Sequence, residues 1–182
     1  MEAYRPTWVE INLKNIEHNC KAAKAFAKEN GKVGAVVKAN AYGHGAVEVS
    51  QACLNAGADY LMVATVGEAL ELREAGFEVP IMILGWTPEE SYDQIIANDI
   101  RVAVYDVEEA EKLNAKALQA GKQVIAHLKV DTGMSRLGVQ TDAAGLEAAA
   151  AIVQMEGIEV EGLFSHLFNG DEYDKTYALE QI

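Results

Sequence analysis

Val124-Ile-Ala-His-Leu-Lys-Val-Asp131 is the stretch on which the fold turns. Alternate residues of a strand face opposite ways, so Val124, Ala126, Leu128 and Val130 form one wholly apolar face. Ile125, His127, Lys129 and Asp131 form the other, which becomes polar toward its C-terminal end. The first face suits a covering layer of helices. The second suits the inside of a barrel, where polar groups gather at the C-termini of the strands. Val33-Gly-Ala-Val-Val37 repeats the pattern, an apolar run closed by Lys38, and a later strand ends Leu163-Phe-Ser-His166.

Working outward, strands begin near Val33, Tyr60, Pro80, Arg101, Gln123 and Ile158, with helix-like segments between them. Ile16, Cys20, Ala23 and Ala27 share one helical stripe, as do Ala110, Leu113 and Ala117. Thr65-Val-Gly-Glu68 is a capping box, and Asp106-Val-Glu-Glu109 a looser one. Thr87-Pro88-Glu-Glu90 reads as a cap followed by proline at the first helical position, and Gly76 as a helix-ending glycine. Trp8-Val-Glu-Ile-Asn-Leu13 reads as an extra strand ahead of the series. Repeated strand–helix units predict a parallel sheet, closable as an open doubly wound sheet or as a barrel. The strand faces favour the barrel. Only six units are counted, whereas a full (β/α) barrel takes eight in about 250 residues. The expectation is therefore an α/β, TIM-type parallel barrel, incomplete in this chain, spanning 1–182 without a domain boundary or repeat.

Half of the 182 residues are hydrophobic, enough for a sizeable core. The net charge of −13, with no basic cluster, argues against nucleic acid and anionic membrane as partners. The acid excess sits in helix-like stretches such as Asp106-Val-Glu-Glu-Ala-Glu111, a solvated face. No apolar run is long enough to span a membrane. Met1-Glu-Ala-Tyr-Arg-Pro6 lacks the pattern of a signal peptide. Cys20 and Cys53 read as reduced core thiols of a cytoplasmic protein. No His, Cys or carboxylate set has metal-ligand spacing, so no metal is expected.

Lys38-Ala-Asn-Ala-Tyr-Gly-His-Gly45 carries the chemistry. A lysine closing a buried strand is costly unless its amine is paired or used, and such amines serve as Schiff-base nucleophiles. The Tyr and Gly residues behind it suggest a tight, solvated loop. Tyr42 is either a phosphate donor or a tyrosine packed on the barrel rim. Gly43 and Gly45 fall short of a dinucleotide fingerprint, which lacks its third glycine here. In Lys129-Val-Asp-Thr-Gly-Met-Ser-Arg136, the Asp-Thr-Gly turn throws Arg136 back toward the strand mouth. Arg136 either holds a carboxylate or phenolate through its planar fork or pairs with Asp131. Lys129 beside Arg136 makes a like-charge pair unless the lysine is modified or uncharged. His166 either stacks on an aromatic cofactor or is a satisfied core histidine.

These stretches resemble the N-terminal barrel of alanine racemases, fold type III pyridoxal-phosphate enzymes. The likeness rests on Ala35-Val-Val-Lys-Ala-Asn-Ala-Tyr-Gly-His-Gly45, Ile83-Leu-Gly85, His127-Leu-Lys-Val-Asp-Thr-Gly-Met134, Arg136-Leu-Gly138, Ser165-His166 and the opening Thr7-Trp-Val-Glu-Ile-Asn-Leu13. The resemblance implies an isomerase that interconverts L- and D-alanine for cell-wall synthesis, in the cytoplasm, as a homodimer or larger oligomer. It implies pyridoxal 5'-phosphate as cofactor. Lys38 would form the Schiff base and act as one of two opposed bases, and Tyr42 would meet the phosphate. Arg136 would hold the phenolic-oxygen side and the substrate carboxylate, His166 would pack on the pyridine ring, and Leu84 would line the pocket. Lys129 matches a position often carbamylated, which would turn its clash with Arg136 into a salt bridge. Leu167-Phe-Asn-Gly170 departs from the small residues usual there. The family's C-terminal β-domain, with the second base supplied as a tyrosine of the partner subunit, has no counterpart in 1–182. A pyridoxal-phosphate carrier barrel, or an engineered half-barrel without activity, is the alternative.

Overall fold

The computed structural model describes residues 7–27 and 29–182. Met1–Pro6, where the sequence shows no leader pattern, lies outside the described residues.

In chain order the elements are α1 (Leu13–Phe26), β1 (Gly34–Val36), α2 (Lys38–Gly43), α3 (Ala46–Asn55), β2 (Tyr60–Val63), α4 (Val66–Glu74) and β3 (Ile81–Ile83). A 3₁₀ turn (Glu89–Ser91), α5 (Tyr92–Ala97), β4 (Arg101–Val104), α6 (Val107–Gln119), β5 (Val124–Lys129), α7 (Ala143–Val153), β6 (Ile158–Phe164) and α8 (Thr176–Glu180) follow. The six strands are all parallel and lie side by side in sequence order, β1 to β6. A doubly wound sheet reverses its strand order at a switch point. This one never reverses, and β1 and β6 are not paired to each other among the described residues. The sheet is an α/β barrel wall that is not closed.

Alternation in β5 places the layers as its sequence demands. Val124, Ala126 and Leu128 are buried against the helices, in one core with Ala110, Leu113 and Ala117 of α6 and Ile152 of α7. Leu61, Ile81, Ile83 and Val102 continue that layer. The opposite face carries Tyr60, Arg101 and His127, whose rings and charges touch. The His127 ring lies edge-on to Tyr60 and to Phe164, each at 6.4 Å. The Arg101 guanidinium lies 5.6 Å from the Tyr60 ring centre.

β6 departs from regular alternation. Val160 pairs with Ala126 but Gly162 with His127, so Glu161 is an extra residue, a β-bulge. The bulge turns the Glu161 carboxylate onto the inner face, where Arg101 Nε donates to it at 2.8 Å and the His127 ring nitrogen approaches to 3.1 Å. These bonds, that of Arg101 foremost, hold the Glu161 carboxyl down at about 2. Gly162 lets the His127 ring approach closely: a Cβ there would sit 3.1 Å from it, and the ring would have to shift by a few tenths of an ångström.

Local expectations fare unevenly. Thr65 and Glu68 form a complete capping box, and Asp106 accepts from the Glu109 amide at 3.0 Å. Gly76 ends α4 at a φ of 90°. Pro88, however, is extended (φ −70°, ψ 147°) and the helix opens one residue later as the 3₁₀ turn, leaving Thr87 outside it. Residues 7–12 form no strand, because no described strand lies beside them to complete a ladder. Asn12 instead caps α1, its side chain accepting from Lys14 N and Asn15 N. Of the proposed α1 stripe only Cys20 is buried; Leu13 and Ile16 pack beside it, and Ala23 faces solvent.

Candidate functional site

The segment behind β1 is a left-handed helical turn and not an ordinary loop. Ala39, Asn40, Ala41 and Tyr42 have φ of 50°, 54°, 50° and 55°. L-residues rarely adopt this conformation consecutively, since the Cβ crowds the carbonyl at about 1–2 kcal/mol per residue. Side chains and local bonds hold it. Ala41 N donates to Val37 O (2.8 Å) and Gly45 N to Asn40 O (3.0 Å). The Asn40 side-chain oxygen accepts from Ala46 N at 2.7 Å, at the start of α3. His44 Nδ1 lies 3.0 Å from Ala41 O and 3.2 Å from Tyr42 O, so with two carbonyls as partners it is the protonated nitrogen. Ala39 N donates to Glu68 Oε1 at 2.7 Å.

Lys38 opens this turn at the end of β1, half-buried, its Nζ 6.0 Å from the centre of the Tyr42 ring. Tyr42 itself is 60% exposed, so it is not packed into the rim. Leu84 follows β3, its amide held by Val63 O at 2.9 Å. Lys129 ends β5 at only 4% exposure, with Nζ 4.3 Å from the Phe164 ring centre. Burial first, then the Arg136 charge, pushes the Lys129 pKa down against an opposing pull from Asp131.

Arg136 sits on a loop closed at its base. Val139 N donates to Lys129 O and Asp131 N to Val139 O, both at 2.9 Å. Gly138 (φ 136°) lies so close to this closure that a Cβ would collide with the backbone of Val130 and Asp131. Asp131 is occupied by the loop itself, accepting from Gly133 N (3.0 Å) and Ser135 N (2.9 Å), and these bonds lower its pKa. It forms no salt bridge with Arg136 among the described residues, which removes the Asp131–Arg136 pairing as an account of that arginine. His166 lies just beyond β6. Burial and the nearby charges of Arg136, Lys129 and Lys38 lower its pKa, so it is a neutral imidazole near pH 7.

The structure thus gathers Lys38, Lys129, Arg136 and His166 at the strand ends. Leu84 shares that rim, and Tyr42 projects from the turn beside Lys38. In a chain of net charge −13 this local excess of cations is notable. Asp131, the carboxylate that pulls against the lowering of the Lys129 pKa, is already bonded to loop amides. The donor set fits an anionic ligand bearing a carbonyl: an amine for the carbonyl, and a guanidinium and phenol for negative oxygens.

Sequence reasoning missed several supports. Glu68 was recognised only as a helix cap. Thr132 and Ser165 hydroxyls meet at 2.6 Å, tying the Arg136 loop to the end of β6. Tyr177 of α8 donates to Gly133 O at 3.0 Å and packs edge-on against Phe168. Gln181 accepts from Phe168 N at 2.9 Å. The unusual Phe168 therefore docks the C-terminal segment onto the Arg136 loop. No local pattern announces such contacts, which join residues far apart in sequence.

Fold and geometry define a parallel (β/α) barrel domain, not closed, with Lys38, Lys129 and Arg136 gathered at its strand C-termini. The model of the alanine racemase N-terminal domain matches residues 11–182, and the chain belongs to that family. Alanine racemase of Methanococcus maripaludis is 46% identical over 97% of this chain and 48% of its own length. That of Clostridium perfringens is 46% identical over 98% of this chain and 46% of its own length. The structure of alanine racemase from Clostridium difficile 630 superposes with a TM-score of 0.93 at 39% identity, covering 99% of this chain and 50% of that one. Alanine racemase from Bacillus anthracis with bound L-Ala-P gives 0.89 at 34% identity, covering 100% of this chain and 47% of that one. The chain spans about half the length of the relatives it matches.

Proposed function

We propose that these residues form the cofactor-binding half of a pyridoxal-phosphate-dependent racemase acting on alanine. The observation that carries it is the placement of the Lys38 amine at the end of β1, beside a cluster of Lys129, Arg136 and His166. Pyridoxal 5'-phosphate, when bound, supplies an electron sink conjugated to the substrate α-carbon.

The chain's own groups do the rest. Lys38 would offer its amine to the cofactor's aldehyde and would hold or return a proton at one face of the substrate α-carbon. Arg136 presents a planar fork to the substrate carboxylate and the phenolic-oxygen side. Tyr42 offers its hydroxyl to the phosphate. His166 is already neutral, so it packs on an aromatic ring without adding another cation. Leu84 supplies apolar wall. Lys129, whose amine is pushed toward its neutral form, is poised to take up carbon dioxide as a carbamate, releasing a proton and becoming an anionic partner for Arg136. Inversion needs a second base on the opposite face, expected from the partner subunit of a homodimer. Exposed Leu146, Val153 and Leu163 beside the β6 edge support coverage of that side by further protein. The cytoplasm and D-alanine supply for cell walls are the setting this reading implies.

The test is reductive trapping. Protein incubated with pyridoxal 5'-phosphate, reduced with borohydride and digested should show a pyridoxyl group on the peptide containing Lys38, and Lys38→Ala should abolish it. A folded sample without that mass at position 38 defeats the proposal. Circular dichroism of L-alanine incubated with the assembled protein separates a racemase from a mere carrier.

A further inference from the structure

Glu68 does more than cap a helix. Its Oε2 accepts from Ala64 N (2.7 Å) and Thr65 N (3.2 Å), the ordinary work of an acid at the third position of α4. Its Oε1 accepts from Ala39 N at 2.7 Å, across 29 residues of sequence. Ala39 is the first left-handed residue of the Lys38 turn. The opening amides of any helical turn, of either hand, lack backbone partners within it. Glu68 thus caps two turns of opposite hand with one carboxylate, through short charge-assisted bonds.

The consequence falls on Lys38. On one side of it, Val37 N donates to Met62 O of β2 at 2.8 Å. On the other, Ala39 N is held by Glu68. The Lys38 backbone is pinned between a strand ladder and a helix start, and each left-handed residue after it strains to relax toward the right-handed region. If Ala39 N were released, the turn would lose the outside contact at its origin, and the lysine side chain would lose its fixed base.

We propose that Glu68 is a positioning residue: its carboxylate fixes the left-handed turn and so holds the Lys38 amine where the cofactor aldehyde is met. The proposal rests on the reading of Lys38 as the cofactor-bearing lysine. Glu68→Gln is a sharp probe. A primary amide has one oxygen, which satisfies two donors at Ala64 N and Thr65 N but only one at Ala39 N, so its NH2 is expected to face the Ala39 amide, donor against donor. Glu68→Asp keeps a carboxylate for the α4 cap but is one methylene too short to reach Ala39 as well. Thr65→Ala weakens the same cap from the other side, removing the hydroxyl that accepts from Glu68 N at 3.3 Å and leaving the Ala39 bond intact.

Two measurements decide the matter. Amide hydrogen exchange by NMR, without coenzyme, should show Ala39 exchanging at least ~10-fold faster in both Glu68 variants, with the β2 amides unchanged, and at the wild-type rate in Thr65→Ala. Borohydride trapping with pyridoxal 5'-phosphate should place the pyridoxyl group on Lys38 at least ~10-fold more slowly in the Glu68 variants and at the wild-type rate in Thr65→Ala. Wild-type Ala39 protection in a folded Glu68→Asp protein overturns the clamp. Equal trapping rates in all four proteins overturn its role toward Lys38. Wild-type protein that traps no coenzyme at Lys38 would instead sink the functional reading, while the exchange comparison still decides the clamp.

Discussion

Replacing Ala39 with glycine should stabilise the protein, the reverse of what this substitution does in an ordinary helix. Ala39 is solvent-exposed at a φ of 50°, so its methyl contributes little packing and the substitution acts on the backbone. An alanine in the left-handed region costs about 1–2 kcal/mol, and glycine is free of that cost. Against this, glycine has more freedom to lose on folding, about 0.5–1 kcal/mol. The balance is a gain of about 0.5–1 kcal/mol. With a urea dependence of about 2 kcal/mol per molar, the unfolding midpoint should rise by ~0.3–0.5 M. Ala115 in α6 is the control, being exposed in the interior of a right-handed helix. Ala115→Gly should lower stability by about 1 kcal/mol. Opposite signs at the two positions are the signature. If Ala39→Gly destabilises by as much as Ala115→Gly, the turn behind Lys38 is not left-handed in solution, and the account of how Lys38 is held collapses with it.

Two further outcomes follow from the framework around the site. The Glu161 carboxyl is held at about 2 against an ordinary 4.5, so the stability it contributes is complete above pH 4.5 and disappears as pH falls toward 2. At 1.36 kcal/mol per unit that is about 3 kcal/mol, reduced to roughly 1.5 for a side chain with appreciable solvent contact; in Arg101→Met, urea unfolding across this window should lose most of the slope, and an unaltered slope would contradict the assignment. Arg73 spreads its guanidinium over four carbonyls, those of Phe77, Val79, Asn98 and Asp99. Arg73→Ala should cost about 2–4 kcal/mol in thermal or urea unfolding, and lysine, lacking the fork, should restore less than half; a loss below ~0.5 kcal/mol would show that water replaces the arginine freely.

What could be read from the chain and what could not divide along physical lines. Strand starts at Tyr60, Arg101 and Ile158 were legible because an apolar run between turn signals leaves little choice. The inside and outside of β5 were legible because alternation has a period of two, and Lys129 came out buried on the polar side as that period required. Thr65 and Glu68 were legible as a cap because the partners are three residues apart. The left-handed turn was not, since Ala39 and Ala41 are residues with the wrong intrinsic preference for it. One of the bonds that hold it comes from Glu68, on another strand–helix unit. The bulge at Glu161 was hidden for the same reason: the partners that draw it inward, Arg101 and His127, belong to other strands, β4 and β5. Trp8–Leu13 has the composition of a strand, but a strand needs a neighbour, and Leu13 opens α1 instead.

The two unanticipated features have a common logic. Both set a side chain or backbone against its local preference at a boundary of the inner face, and in both a glutamate carboxylate bonded to groups of another strand–helix unit supplies the compensation. Glu161 accepts from Arg101 and His127 on that face, nearer the strand starts, while Glu68 accepts from Ala39 and Ala64 at the strand C-termini. A parallel sheet makes such ties necessary, because consecutive strands are joined only through helices and their ends are not linked by hairpins. The register at the rim then depends on side chains that bridge neighbouring units. That dependence bears directly on chemistry, since an amine displaced by about 1 Å can lose a hundredfold in rate. The site is thus as well defined as the carboxylate that joins its first two strands, which is why the exchange rate of a single amide, Ala39, reports on it.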